Sequence, residues 1–464
     1  MSSIVKRIKN LVHKGERSLE SIWRFYIENI NNYDKDLNAL IHQVQFKDIE
    51  HVDAKDSDLN GIPIIYKDNI CTKGIPTTCA SNVLKDYVSP FDATVVERLK
   101  EAGMVCLGKS NLDEFAMGSC TDTGIYGDTK NPWDLSLDAG GSSGGSGAAV
   151  AARFAPIALG TDTGGSVRLP AYRCGVIGMK PSYGTLSRYG VVAYASSLDQ
   201  VGVLGLNIED IALVLDAAGG LDSKDSTSLD IPCDFFSRKI RGNAKAVIGI
   251  DYSIFKEDVG AVMHIISRLK HAGYETREIK LPDLDNIDSC YYTISSTEAF
   301  SNLSRYDGIR YGHADQAAKS VDDFYKANRN FGEEVSNRLL AGAFFTSPDN
   351  YDSYYVNAQK YRRHIYDSFK KIYDKVDCVI MPVCQLNPYC DGADIYSLDH
   401  FNVLANLIGA PSIAFPIYVS QGMPQGFQIM GRYLHDDQII KIIYDLQKYD
   451  PILTRKAQYA GKDL

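Results

Sequence analysis

The sequence contains no run of about 18 apolar residues, the length needed to span a bilayer, so no transmembrane helix is expected. None of its ten cysteines, at positions 71, 79, 106, 120, 174, 233, 290, 378, 384 and 390, forms a C-x-x-C pair. Zinc or iron–sulfur ligation therefore has no support, and no metal site is expected. At 464 residues the chain is far too long for a disulfide scaffold, which leaves free thiols in a reducing compartment. Near the N-terminus, MSSIVKRIKNLVHKGERSLESIW lacks the apolar core of a secretory signal. Lys6, Arg7, Lys9, Lys14 and Arg17 give it a weak organelle-targeting character, opposed by Glu16 and Glu20, and a surface helix is the reading adopted. Neither G-x-x-x-x-G-K-[ST] nor G-x-G-x-x-G is present, so a phosphate loop is excluded. Excess positive charge is missing too. A formal net charge of −9 argues against broad nucleic-acid binding by this chain alone, though not against a partner that holds nucleic acid. There are no repeats and no low-complexity segments.

What is present is ordinary globular material, 45% hydrophobic and 23% charged, enough for a large core. Residues 1 to about 55 carry apolar side chains at helical spacing, such as Leu19, Ile22, Trp23, Tyr26 and Ile27, and read as two or three N-terminal helices packed on the core. From residue 56 to 464 one continuous α/β domain is expected. Short apolar runs (Ile62–Tyr66, Met104–Leu107, Ile157–Leu159) alternate there with glycine-rich turns and helical stretches such as Ala93–Ala102. Asn207–Ala218 reads as a helix, and the polar stretch near 219–230 as a loop and a weak candidate seam. A strand at Ala246–Ile250, a helix with apolar positions 261, 262, 265, 266 and 269, and a strand at Tyr274–Ile279 would form a βαβ unit. Residues 290–375 read as mostly helical, and 376–383 and 412–417 as buried strands.

Three motifs stand apart. In AGGSSGGSGAAVAAR (139–153), five glycines and three serines fill Gly140 to Gly147 and run into an alanine-rich helix. Read alone, this is a flexible linker or part of an active site. In LGTDTGGSVRLP (159–170), Gly164 and Gly165 precede Ser166. Two glycines there let the backbone approach a reacting group, and consecutive N–H groups can converge on an oxyanion. In LNGIPIIYKDNI (59–70), Lys67 follows an apolar run and sits at a strand end; judged alone, it is a solvated lysine paired with Asp68.

Taken in order and at their spacing, the three resemble the amidase signature family. GKSNLDEFAMGSCTDTGIYGDTKNPWD (108–134), SRYGVVAYASSLDQVG (187–202), SNLSRYDGIRYG (301–312) and NVLANLIGAPSIAFPI (402–417) look like one branch of it, the A subunits of glutamyl-tRNA(Gln) amidotransferase. The match covers about residues 15 to 440. The resemblance implies a single large α/β domain, with a mixed central sheet covered by helices on both faces. It also implies a Ser–cis-Ser–Lys triad of Ser166, Ser142 and Lys67. Ser166 would attack the side-chain amide of glutamine, Ser142 would relay the proton, and Lys67 would serve as general base and then acid. Backbone N–H groups of Thr163, Gly164, Gly165 and Ser166 would form the oxyanion hole. The roles of gripping the glutamine α-carboxylate and α-ammonium fall on Arg338 in EVSNRLL and Asp399 in LDHFNVLANLIG. One of Tyr291 and Tyr292 would line the same pocket.

Residue chemistry agrees with those roles. A serine hydroxyl needs an adjacent base to be a nucleophile. A lysine serves as that base only when burial lowers its pKa, and Ile64, Ile65 and Tyr66 are placed to bury Lys67. Asp162 and Arg168 flank the nucleophile as an ion pair that would buttress its loop.

In the branch as a whole, a B-type subunit with ATP and Mg converts misacylated Glu-tRNA(Gln) to Gln-tRNA(Gln), and a small C-type subunit completes a heterotrimer. This chain would need no cofactor for its own half-reaction, and the partner would hold most of the tRNA. The setting would be the bacterial cytoplasm or the mitochondrial matrix. Several positions depart from the branch. Leu169 stands where Gln is usual and could alter the pocket mouth, and Ala139 stands where Pro is usual. EVSNRL has lost one of two adjacent arginines, GVLGLNIED (202–210) is unusual, and the region before Gly61 is short. The competing readings are a stand-alone amidase acting on another small amide, and a catalytically silent scaffold. Arg338 and Asp399 oppose the first, and the intact triad opposes the second.

Overall fold

The computed structural model describes residues 3–232, 234–241, 245–255, 259–314, 317–384, 399–449 and 456–464. Its strands, in chain order, are β1 (Leu40–Gln43), β2 (Pro63–Lys67), β3 (Val105–Ser110), β4 (Lys130–Asn131), β5 (Asp134–Asp138), β6 (Ile157–Asp162) and β7 (Ile177–Lys180). They continue with β8 (Gln200–Gly205), β9 (Val247–Ile250), β10 (Glu275–Glu278), β11 (Cys378–Met381), β12 (Ser412–Ser420) and β13 (Met423–Gly431). Eleven of them form one sheet in the order β1-β3-β2-β6-β8-β7-β12-β13-β11-β9-β10, and β4 and β5 pair separately. The sheet is mixed. β2 runs parallel to both β3 and β6, and β9 parallel to β10 and β11, while the central pairs are antiparallel.

Burial explains why these segments are strands. β2, β6 and β8 are buried at every position, as expected where both faces of a sheet are covered. β11 shows the two faces directly. Its alternate residues Cys378 and Ile380 join one hydrophobic cluster, while Val379 and Met381 join another. Helices Ile208–Ala218, Val259–His271 and Asp436–Tyr449 supply side chains to the first cluster. Helices Ile287–Leu303, Glu333–Thr346 and Asn357–Tyr373 supply the second. The expected α/β architecture, with helices on both faces, is what is found.

The βαβ unit at 247–278 forms as expected, with β9 and β10 parallel around the helix Val259–His271. Residues 1–55 provide helices Ile4–His13 and Leu19–Leu37, within the expected two or three, together with an unanticipated strand, β1, which pairs with β3 at the sheet edge. Its four residues are too few for alternation to show. Ile22, Tyr26 and Ile30 are buried in the main cluster, so no domain boundary falls at 55. The 219–230 loop is no seam either. Asp222 accepts from Thr94 and Ser187, and Arg98 donates to the carbonyls of Ala218, Gly219, Gly220 and Leu221. Cys71, Cys79, Cys106, Cys120, Cys174, Cys290, Cys378 and Cys384 are free thiols; positions 233 and 390 lie outside the described residues. No helix among the described residues is long and apolar enough to cross a membrane.

Candidate active site

β2 and β6 are adjacent and parallel, and their C-terminal ends open onto one place. In an α/β sheet this is where ligands bind. β2 ends at Lys67, which is fully buried. Its Nζ lies 2.7 Å from Ser142 Oγ and donates to Thr161 Oγ1, near the end of β6, at 3.1 Å. Asn69 Nδ2 donates to the same threonine oxygen at 3.0 Å. Burial lowers the Lys67 pKa to about 7, against the opposing pull of Asp113 and Asp162. The solvated-lysine reading is thereby excluded. The salt bridge of Asp68 is to Lys109, at 3.2 Å.

Ser142 follows a cis peptide bond from Gly141, at the entrance to the helix Gly144–Ala151. Gly140 through Gly147 are all buried, so the glycine-serine stretch is a packed shelf and no tether. Its neighbour Ser143 donates its N–H to the Ser166 carbonyl at 3.1 Å, which ties the two serine loops together.

Ser166 lies in the loop between β6 and the helix Arg168–Cys174, and is 8% exposed. Asp162 organises that loop. Its carboxylate accepts the Gly165 and Val167 amides at 2.9 and 3.1 Å. Two guanidinium nitrogens of Arg168 donate to it at 3.1 and 2.9 Å. Burial alone would raise the Asp162 carboxyl, but Arg168 outweighs it and holds the pKa at about 2. Asn406 and Gln428 accept two further Arg168 donors at 2.7 and 2.8 Å. Gly165 has φ +140°, and a Cβ there would come within 2.8 Å of both Asn402 Nδ2 and Asp399 Oδ1. The Gly165 amide is turned to Asp162, which removes it from the oxyanion donors expected from the sequence. The Thr163 hydroxyl is anchored on Asp199 at 2.7 Å.

The remaining residues surround this loop. Tyr291 is the nearer of the tyrosine pair: a Cβ on Gly164 would meet its hydroxyl at 2.5 Å. Tyr292 instead lies under Arg338, whose guanidinium is 5.0 Å from the ring centre. Arg338 also donates to the Tyr194 hydroxyl and pairs with Glu334 at 2.7 Å. Asp399 accepts from Ser119 Oγ at 3.0 Å through Oδ2. Its Oδ1 and the neighbouring Asn402 Nδ2 are buried beside each other and, apart from that mutual contact, have no hydrogen-bond partner among the described residues. Burial raises the Asp399 pKa to about 7.

Sequence reasoning missed Thr161, Asn69, Tyr194 and Ser119. Each lay inside a motif already in view or beside one, but a hydroxyl or amide that only orients another group has no spacing signature. Leu169 is fully buried in the main hydrophobic cluster.

A family model described as Amidase matches residues 21–440. The chain belongs to the amidase family. This amidase is 41% identical to the glutamyl-tRNA(Gln) amidotransferase A subunit of Francisella tularensis subsp. tularensis strain SCHU S4, over 96% of this chain and 97% of that one. The Francisella philomiragia protein of the same name is also 41% identical, with the same coverage. Among solved structures, the glutamyl-tRNA(Gln) amidotransferase A subunit of Thermotoga maritima superposes with a TM-score of 0.80. It is 36% identical, covering 97% of this chain and 96% of that one. A 6-aminohexanoate cyclic dimer hydrolase reaches a TM-score of 0.82 at 24% identity, covering 98% and 99%, a likeness of fold alone.

Proposed function

We propose that this amidase is the glutamine-hydrolysing component of a tRNA-dependent amidotransferase. The observation that carries the chemistry is the buried Lys67 amine, 2.7 Å from the Ser142 hydroxyl on a shelf hydrogen-bonded to the nucleophile loop. Ser166 Oγ attacks the side-chain amide carbon. Its proton passes through Ser142 to Lys67, and from there to the departing nitrogen. The products of this half-reaction are ammonia and a γ-glutamyl ester on Ser166. Water, deprotonated by the same relay, then releases glutamate and restores the serine. Each backbone donor to the oxyanion contributes on the order of 3 kcal/mol to such a step. Asp399, buried with no cation paired to it among the described residues, suits the α-ammonium, and Arg338 suits the α-carboxylate.

The Francisella and Thermotoga relatives are each named as one subunit of an amidotransferase, which supports assembly of this chain with other subunits. In the finer reading a B-type subunit uses ATP and Mg to activate misacylated Glu-tRNA(Gln), a C-type subunit completes a heterotrimer, and ammonia passes from this chain to the B-type subunit. This chain uses no cofactor of its own. The same relatives are bacterial proteins, which supports a cytoplasmic setting.

Rapid-quench intact mass spectrometry tests the reading. Incubation with L-glutamine is expected to add one γ-glutamyl group to the wild type, on the peptide holding Ser166, and none to Ser166→Ala. An adduct elsewhere, or none under turnover, refutes it.

The pH profile is a second expectation. Lys67 and Asp399 both titrate near 7, and both must be deprotonated, one to accept a proton and one to hold an ammonium. Activity is therefore retained above about pH 7 and lost below it. The acid limb of log kcat/KM approaches a slope of about 2, falling to about 1 in Asp399→Asn. An acid limb unchanged by Asp399→Asn rules out a titrating Asp399.

A further inference from the structure

The segment Asp113–Thr123 contacts the Ser142 turn, Asp399 and the start of the helix that carries Arg338, without supplying a triad residue. Asp113 is fully buried, and its carboxylate folds the segment back on itself. It accepts the amides of Thr121, Asp122 and Thr123 at 3.0, 3.1 and 3.4 Å, and the Thr123 hydroxyl at 3.1 Å. The Asp113 amide donates to the Ser142 carbonyl at 3.3 Å. Glu114 accepts the Gly332 amide at 2.7 Å, at the N-terminus of the helix that carries Arg338.

Two hydroxyls on this strap face opposite halves of the site. Ser119, 2% exposed, donates to Asp399 Oδ2 at 3.0 Å. Thr121 Oγ1 donates to the Gly140 carbonyl at 2.8 Å and accepts the Gly144 amide at 3.0 Å. It therefore bridges the two ends of the turn that holds Ser142. Between them the strap backbone runs against Gly141. A Cβ at 141 would lie 2.6 Å from both Cys120 N and the Ser119 carbonyl carbon. The substrate-binding carboxylate and the proton-relaying serine are thus fastened to neighbouring residues of one segment.

We propose that Ser119 and Thr121 are positioning residues that set the ammonium site and the serine shelf in a fixed relation, Ser119 governing recognition of the substrate's amino group and Thr121 governing the chemical step. By occupying Oδ2, Ser119 leaves Oδ1 of Asp399, beside Asn402, facing the nucleophile loop, where Gly165 leaves room. The hydrogen bond of Thr121 to both ends of the turn keeps Ser142 on Lys67. The proposal rests on the glutamine reading above and specifies how that site distinguishes its substrate.

The test compares L-glutamine with glutaramate, the same amide without the α-amine, on the assembled enzyme. In Ser119→Ala the KM for glutamine is expected to rise about 10- to 150-fold, the loss of one hydrogen bond to a charged group, with kcat within about a factor of two. The KM for glutaramate stays unchanged, so the preference between the two collapses by the same factor. In Thr121→Val, kcat is expected to fall about 10- to 100-fold for both substrates with the preference intact, and Thr121→Ser restores it. A Ser119→Ala variant whose two KM values move together overturns the proposal, as does a Thr121→Val variant that changes preference and spares kcat. A wild type with no preference for the amine over its absence strikes down the glutamine reading itself, a result visible before any variant is made.

Discussion

Replacing Lys67 with methionine is expected to leave a folded protein whose kcat for glutamine falls on the order of 10⁴-fold or more, with no acyl-enzyme on Ser166. Methionine fills the same buried channel and removes only the amine. The size of the effect follows from the amine's protonation. An ordinary lysine at pH 7.5 is neutral in roughly one molecule in a thousand. Burial brings Lys67 to about 7, so most molecules hold a free base against Ser142. Lys67→Arg separates base from charge. Arginine keeps a cation in the same place but does not give up its proton in proteins. If Lys67 acts as a base, both variants are dead. An arginine variant within about tenfold of wild type would show that a positive charge, and not a proton acceptor, is what the site needs.

The second large effect is on stability. Arg168→Met is expected to cost about 3–5 kcal/mol, seen as a lower urea midpoint, because it leaves the Asp162 carboxylate buried without its cation. Both partners of the pair are fully buried, and the guanidinium makes four hydrogen bonds, to Asp162, Asn406 and Gln428. Activity falls with it, since Asp162 also holds the Gly165 and Val167 amides that shape the nucleophile loop. The pH dependence has a definite sign. In the wild type the Asp162 pKa is depressed to about 2, so its contribution is present above the usual carboxyl range and lost only as pH falls toward 2. In the variant, burial without Arg168 raises that pKa, and the carboxyl takes up a proton at mildly acidic pH. The gap between wild type and variant therefore narrows from pH 7 toward pH 5. A gap that is constant over this range would place the cost in packing and not in the stranded charge.

Much of the site was legible in the sequence, for particular reasons. Lys67, Ser142 and Ser166 lie in continuous motifs, and each motif is one strand end or turn, so local order carries over directly into space. Asp399 and Arg338, far apart in the chain, were found through the family motif alone. What escaped were groups whose role is to orient others. Thr161 sits one position before Asp162 at the end of a fully buried strand, where its side chain reads as core until β2 is laid beside it. Ser119 pairs with a residue 280 positions away, a relation with no local periodicity. The choice between Tyr291 and Tyr292 rested on helix phase, which adjacent aromatics do not reveal. In the fold, β1 was missed because four residues carry too little pattern. β9 to β10 was readable because a strand, an amphipathic helix and a strand in sequence allow few other arrangements.

The most direct test of the central claim is ammonia release from L-glutamine by the chain co-expressed with B- and C-type partners, with Ser166→Ala alongside. Release is expected from the wild type alone, rising when misacylated Glu-tRNA(Gln) and ATP are added. Equal release by Ser166→Ala, or an inert response to glutamine alongside Ser166-dependent hydrolysis of another amide, would contradict it.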